Sequence, residues 1–259
     1  MGLSLVEEYL DSEFTEAKNN VIQMPKKQIM KKDGSGFKKT PDNSKRNRDN
    51  IQPYKEEDIP RMIKYLNEFM KQSDNEEDYQ IRLRNLTLFR CGINIALRVS
   101  DLVALQWSDI YNNKWEFLDG KKIKPQKTAR TGKHVILKYN VAFRRAMTEY
   151  KDYIKPKDIN TYIFSSRENS NGHITTDTVS TFLTKAADII GLEYPTNTHS
   201  MRKAFARIRY DHSPDKEKTL VELQGLFRHT STKITLAYIC ITEEEIGDLY
   251  NAINLGYDD

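Results

Sequence analysis

Along most of the chain, apolar positions recur every three or four residues, as in helices that bury one face. Residues 56–72 (EEDIPRMIKYLNEFMKQ) and 78–92 (DYQIRLRNLTLFRCG) have this spacing. A short helix is expected from about Ser100 to Gln106, with Leu102, Val103 and Leu105 turned to the core. The texture then changes. KWEFLD, KKIKPQKT and KHVILK are short β-rich runs broken by Asp119-Gly120 and Thr131-Gly132, which predicts a small antiparallel sheet. Helical spacing returns at 140–153, 175–190, 198–210, 216–227, 231–239 and 243–254. The expected fold class is α+β, mostly α, with a small antiparallel β-sheet inserted among helices.

The first fifty residues read differently, and a boundary is expected there: 1–50 as helix plus arm, 51–259 as the main domain. Residues 3–22 can form one acidic amphipathic helix, with Leu3, Val6, Tyr9, Leu10, Phe14 and Val21 roughly on one side. Its segment, 1–22, carries a charge of −4, whereas 23–50 carries +6, leaving +2 of the overall +4 for all the rest. The basic stretch holds Lys26, Lys27, Lys31, Lys32, Lys38, Lys39, Lys45, Arg46 and Arg48 among Gly, Ser, Asn and Pro. It suits an extended arm on a polyanion such as DNA, and equally a solvated linker.

Composition narrows the class of protein. At 259 residues, 38% hydrophobic and 30% charged, the chain has the profile of a charge-rich soluble protein. No run resembles a membrane span, and MGLSLVEEYLDSEF lacks the features of a secretory signal, so a cytoplasmic location is expected. Cys91 and Cys240 stand far apart, without CxxC or His partners at metal spacing; they fit buried thiols in a reducing compartment. Neither an acidic metal cluster nor a GxxxxGK[ST] loop is present in the sequence, so neither a metal nor a nucleotide cofactor is expected.

Three polar clusters lie within the helical part. Arg98 opens a helix in GINIALRVSDLVALQWSDI, with Asp101 three residues on. A guanidinium in so apolar a run calls for an anion, either a ligand or Asp101 itself. In THSMRKAFARIRY, His199 and Arg202 share one helical face, and an arginine fork can grip two phosphate oxygens at once. Such a pair also occurs as plain surface polarity. In GLFRHTSTKITLAYI, Tyr238 follows His229 by nine residues. The two cannot share a face of one straight helix, but a turn after His229, with Ser231 as a cap, would bring both into one cleft.

Taken in order, LRVSDLVALQWSDI, HSMR and HTSTKITLAY resemble the tyrosine recombinase (phage integrase) family. In that family an Arg-bearing helix is followed by a β-hairpin lysine, an H-x-x-R and an H-(x)8-Y segment. The resemblance spans about Pro53 to Ile241 and implies a DNA breaking-and-rejoining enzyme that works without a metal or ATP. Arg98 and Arg202 would clamp the scissile phosphate, aided by His229, and Tyr238 would attack phosphorus to leave a 3′-phosphotyrosyl bond. His199 would accept the phenolic proton. A hairpin lysine, Lys127 or alternatively Lys133, would protonate the departing 5′-oxygen.

Family members also imply double-stranded DNA as partner and a tetramer on two sites. The helix expected at 243–254, with Ile246, Leu249, Tyr250 and Ile253 on one stripe, could dock on a neighbour or on its own domain. Two departures stand out. Arg228 replaces the glycine that usually precedes the final histidine, and is a candidate phosphate contact. Fifty-two residues precede Pro53, too few for the family's N-terminal clamp domain, so the arm is expected to supply part of it unless a piece has been lost. A type IB topoisomerase-like relaxing enzyme and a catalytically silent DNA-binding protein of the same fold are the alternatives.

Overall fold

Four residues at intervals of four, Asp58, Met62, Leu66 and Met70, are buried along one side of helix α1 (Asp58–Lys71), as an amphipathic helix requires. The computed structural model describes residues 51–123, 134–167 and 171–241. After α1 come α2 (Glu76–Asn94), α3 (Val99–Val103), a 3₁₀ turn (Trp107–Asp109), β1 (Lys121–Ile123), β2 (Val135–Leu137), α4 (Val141–Ile154), α5 (Thr176–Ile189), α6 (Thr198–Asp211), α7 (Lys216–Phe227) and α8 (Thr232–Tyr238). Fold class is as expected. The helix at 3–22, the arm at 23–50, Lys127, Lys133 and the helix at 243–254 lie outside the described residues.

Helix ends fall where small polar side chains can cap them. Asn75, Asn140, Thr175, Asn197, Asp215 and Ser231 each precede a helix and accept a hydrogen bond from a backbone N–H of its first turn, satisfying donors the helix itself leaves open. Helix α2 is the centre of the main core and packs on α1, α4 and α6. Its contact with α6 is close because residue 92 is glycine: a Cβ there would run into the sulfur of Met201. That approach sets the helix that carries Arg202.

Among the described residues the sheet has two strands. β1 and β2 pair antiparallel in the register Lys121↔Leu137, Lys122↔Ile136 and Ile123↔Val135. KWEFLD contributes only an isolated bridge, Tyr111↔Phe117. Trp115 in that run has φ 60°, a left-handed turn that breaks the extended backbone. Its aromatic residues pack instead: Trp115 lies edge-on to Trp107 at 6.1 Å, and Phe117 sits 4.4 Å from Tyr111. Aromatic burial outweighs strand continuation here.

A second, small apolar cluster forms away from this core. Ala206 of α6, Leu223 and Phe227 of α7, and Ile239 are its buried members. Phe205, Leu236 and Tyr238 pack against it. No described helix is long and apolar enough to cross a membrane.

Candidate active site

Four separate segments deliver the site. Arg98 is the residue before α3, in extended backbone, and is half-buried. Its carbonyl accepts the first amide bonds of the helix, from Asp101 and Leu102 at 3.0 and 2.9 Å. The backbone is thus fixed at the point from which the side chain leaves it. Arg202 comes from the buried face of α6 and is only 7% exposed. Its guanidinium lies 4.3 Å over the ring of Phe227, a cation–π contact that partly compensates for lost water. Burial, reinforced by the nearby Arg98 charge, lowers its pKa to about 10. At neutral pH the group is still a cation, held where an anion would be welcome.

His229 and Tyr238 meet because α7 stops sharply. Arg228 adopts a left-handed conformation, φ 59° and ψ 41°. Its N–H bonds the Gly225 carbonyl, while the His229 N–H bonds that of Gln224. This is the Schellman pattern that usually employs glycine. The chain reverses, Ser231 caps α8, and Tyr238 is the last residue of that helix. His229 and Tyr238 rings then sit 5.2 Å apart, edge to face, and both contact Phe227, at 5.4 and 5.1 Å. The nine-residue interval therefore closes on one cleft through the expected turn.

Two arginines dominate the electrostatics, with the buried Asp101 carboxylate acting on Arg202 from nearby. Burial, then Arg202 and Arg98, hold the His229 pKa below the ordinary imidazole value, so the ring is neutral at pH 7. Its Nδ1 lies 3.1 Å from the Thr235 hydroxyl, which orients it. Burial pushes the Tyr238 phenol above its usual value, while Arg202 and Arg98 act to lower it and Cys240 to raise it. The Tyr238 oxygen is buried without a hydrogen bond of ordinary alignment, although the Arg202 guanidinium lies close enough to favour the phenolate.

Arg98, Arg202, His229 and Tyr238 are thus brought together. His199 stands apart from them in burial. Its side chain is exposed on the first turn of α6, and its backbone N–H donates to the Asn197 cap at 2.7 Å. Arg228 does not project freely: one guanidinium nitrogen donates to the His134 carbonyl at the base of β2, and another is buried with no hydrogen-bond partner. Sequence reasoning missed Phe227, which supports three members of the site at once, and Lys203, whose ammonium is buried and lies 5.4 Å over the Tyr238 ring. Phe227 was legible only as one more apolar position of α7. Nothing in the sequence separates Lys203 from a solvated lysine.

Comparisons with known proteins bear on the family and the fold. The phage integrase family profile matches residues 54–245. The integrase/recombinase YoeC of Bacillus subtilis (strain 168) is 33% identical over 161 residues, covering 62% of this chain and 80% of that protein. The tyrosine recombinase XerC of Pediococcus pentosaceus is 25% identical over 173 residues, covering 65% of this chain and 54% of that one. Among solved structures, XerA recombinase aligns with a TM-score of 0.53 at 17% identity, over 79% of this chain and 66% of its own. XerH recombinase bound to palindromic difH after cleavage aligns at 0.55 and 16% identity, over 77% and 52%. These two structures share the fold.

Proposed function

Because the chain belongs to the phage integrase family, the tyrosine recombinases that break and rejoin DNA, we propose that Tyr238 is its nucleophile. The chain spans 54% of its Pediococcus relative, and the whole activity, site-specific recombination of double-stranded DNA, is part of the proposal. The observation that carries it is the Tyr238 hydroxyl, buried beside Arg202 and under the influence of Arg98. Those two cations come from distant segments and converge on one phenol.

In the reaction, Arg98 and Arg202 hold the non-bridging oxygens of a phosphodiester and stabilise the charge that grows in the transition state. Neutral His229 donates a hydrogen bond to the same oxygens. Tyr238 oxygen attacks phosphorus, a P–O bond to tyrosine forms, and the bond to the 5′-oxygen breaks, leaving a 3′-phosphotyrosyl link. The phenolic proton passes to His199, which must approach from its exposed position, and the 5′-oxygen takes a proton from Lys127 or Lys133. A 5′-hydroxyl of another strand reverses the steps. The basic residues of 23–50 would contact phosphates, along with Arg228 if its tie to His134 is released. The segment at 243–254 would link subunits of a tetramer, and the protein would work in the cytoplasm on DNA.

The test begins by selecting a bound site from a random duplex pool and building it into a nicked suicide substrate. The full chain should form a covalent adduct, and Tyr238→Phe should form none while its DNA affinity stays within about threefold, since only one oxygen is lost. An adduct surviving in that variant would move the nucleophile elsewhere. Strand exchange between two duplexes separates a recombinase from a relaxing enzyme, and absence of any adduct in the parent chain would leave a silent DNA-binding protein.

A further inference from the structure

The chain just beyond Tyr238 is held by an unusual pair of grips. Helix α8 ends in a Schellman pattern, with the Cys240 N–H on the Ala237 carbonyl and the Ile241 N–H on that of Leu236. The residue at its left-handed position is Cys240, at φ 57°, where glycine is the usual occupant. A side chain in that conformation persists when its surroundings hold it there. Two cations one turn apart on α6 do so. Arg207 Nη1 donates to the Cys240 carbonyl at 3.1 Å, and Lys203 Nζ donates to the Cys240 sulfur at 3.3 Å.

Lys203 is the more singular of the two. Its side chain is buried, and Nζ also donates to the Ile51 carbonyl at 2.5 Å. The Cys240 sulfur lies 3.4 Å from that same carbonyl. Among the described residues no carboxylate forms an ion pair with Lys203. A buried ammonium costs stability unless its donors find acceptors, and here two of them are used, on the Ile51 carbonyl and the Cys240 sulfur. The ring of Tyr238 lies within cation–π range of the same nitrogen.

We propose that Lys203 is a positioning residue for Tyr238: its ammonium ties Cys240, two residues past the tyrosine, to the Ile51 carbonyl and so fixes the end of α8 from which the phenol projects. Through this one side chain Ile51 is coupled to the nucleophile. An in-line attack tolerates little displacement, so loosening the anchor should lower the rate of phosphotyrosyl formation rather than the affinity for DNA. The neighbouring Arg202 makes different contacts: it lies over Phe227 and beside the Tyr238 hydroxyl, whereas Lys203 lies over the Tyr238 ring.

The proposal rests on Tyr238 being the nucleophile, and its test separates the two. Single-turnover adduct formation is measured at saturating full-length protein on the nicked selected site, with the dissociation constant and thermal unfolding alongside. Lys203→Met should slow the adduct step about ten- to a hundredfold, the scale of a sub-ångström to ångström misplacement, with affinity changed less than about twofold. Lys203→Arg, which keeps a charged donor, should recover most of the rate. A Met variant cleaving at the parent rate, a rate loss matched by an equal affinity loss, or an Arg variant no better than Met overturns the idea. Should the Met variant fail to fold, Arg207→Met decides: slower cleavage with binding intact supports the anchor, and an unchanged rate sinks it. If Tyr238→Phe still forms adduct, the premise itself has failed; if it forms none while Lys203→Met cleaves normally, only the anchor has.

Discussion

Arg98 and Arg202 leave the main apolar core, where Leu97, Leu102, Met201 and Ala204 are all buried beside them. His229 and Tyr238 rest instead on the small cluster of Ala206, Leu223, Phe227 and Ile239. The backbone of the half that would grip phosphate is therefore built on the larger apolar cluster, although the Arg202 guanidinium reaches across to Phe227. The half that would perform the attack is built on a few side chains and two helix ends in left-handed backbone, Arg228 and Cys240. Local opening is cheapest where buried apolar contact is least. This division places the buried Tyr238 hydroxyl beside the Arg202 cation but on the less extensively packed half.

The sharpest way to break that comparison is to remove the clamp. Arg202→Ala and Arg98→Ala should each lower adduct formation on the nicked substrate by about two to three orders of magnitude, the usual scale for one charged transition-state contact. Arg202→Lys should recover little, because a lysine offers a point charge and no two-pronged grip. A Lys variant with near-parent cleavage would show that charge alone is enough and that the rigid setting of Arg202 on α6 is irrelevant.

A smaller effect on chemistry, but a sharper one on the division itself, is expected from Phe227→Ala. Emptying a fully buried phenylalanine site typically costs about 3–5 kcal/mol. Phe227 belongs to the small cluster and touches Arg202, His229 and Tyr238. Amide exchange should quicken strongly across 216–241 and stay slow in the buried part of α2. Equal acceleration in both regions would mean that the two clusters unfold as one unit and that the nucleophile half has no independence.

Much of this could be read from the sequence, for reasons that differ by element. Helices α4, α5, α6 and α7 begin and end within a residue or so of expectation, because their apolar spacing and caps such as Asn140 and Asp215 act over a few neighbouring residues. The turn that joins His229 to Tyr238 was legible from Ser231 for the same reason. KWEFLD was misread as a strand, since what decides its path is the packing of Trp115 and Phe117 on Trp107 and Tyr111. Those partners are local in space, but the left-handed turn at Trp115 leaves no mark in a bulky aromatic residue. Lys203 and Gly92 were illegible outright. Their meaning lies in Ile51, Cys240 and Met201, and only the assembled fold brings these together.

The smallest effect expected concerns pH and the stability of the nucleophile half. Burial, with Arg202 and Arg98 beside it, holds His229 below the ordinary imidazole value in the folded chain. A depressed folded-state pKa means that the unfolded chain binds the proton first as pH falls. Stability contributed by neutral His229 is thus present above the unfolded value of about 6.5 and is lost on acidification through the folded value below it. Replacing His229 with Gln removes this titration while keeping a polar side chain able to bond Thr235. The parent protein should lose more thermal stability between pH 7 and pH 5 than His229→Gln does, and the difference should appear in exchange at 216–241 before it appears in α2. Because the ring is only half-buried, solvent screening keeps the effect modest. Parallel acid sensitivity in both proteins would show that burial and the two arginines do not hold the imidazole neutral.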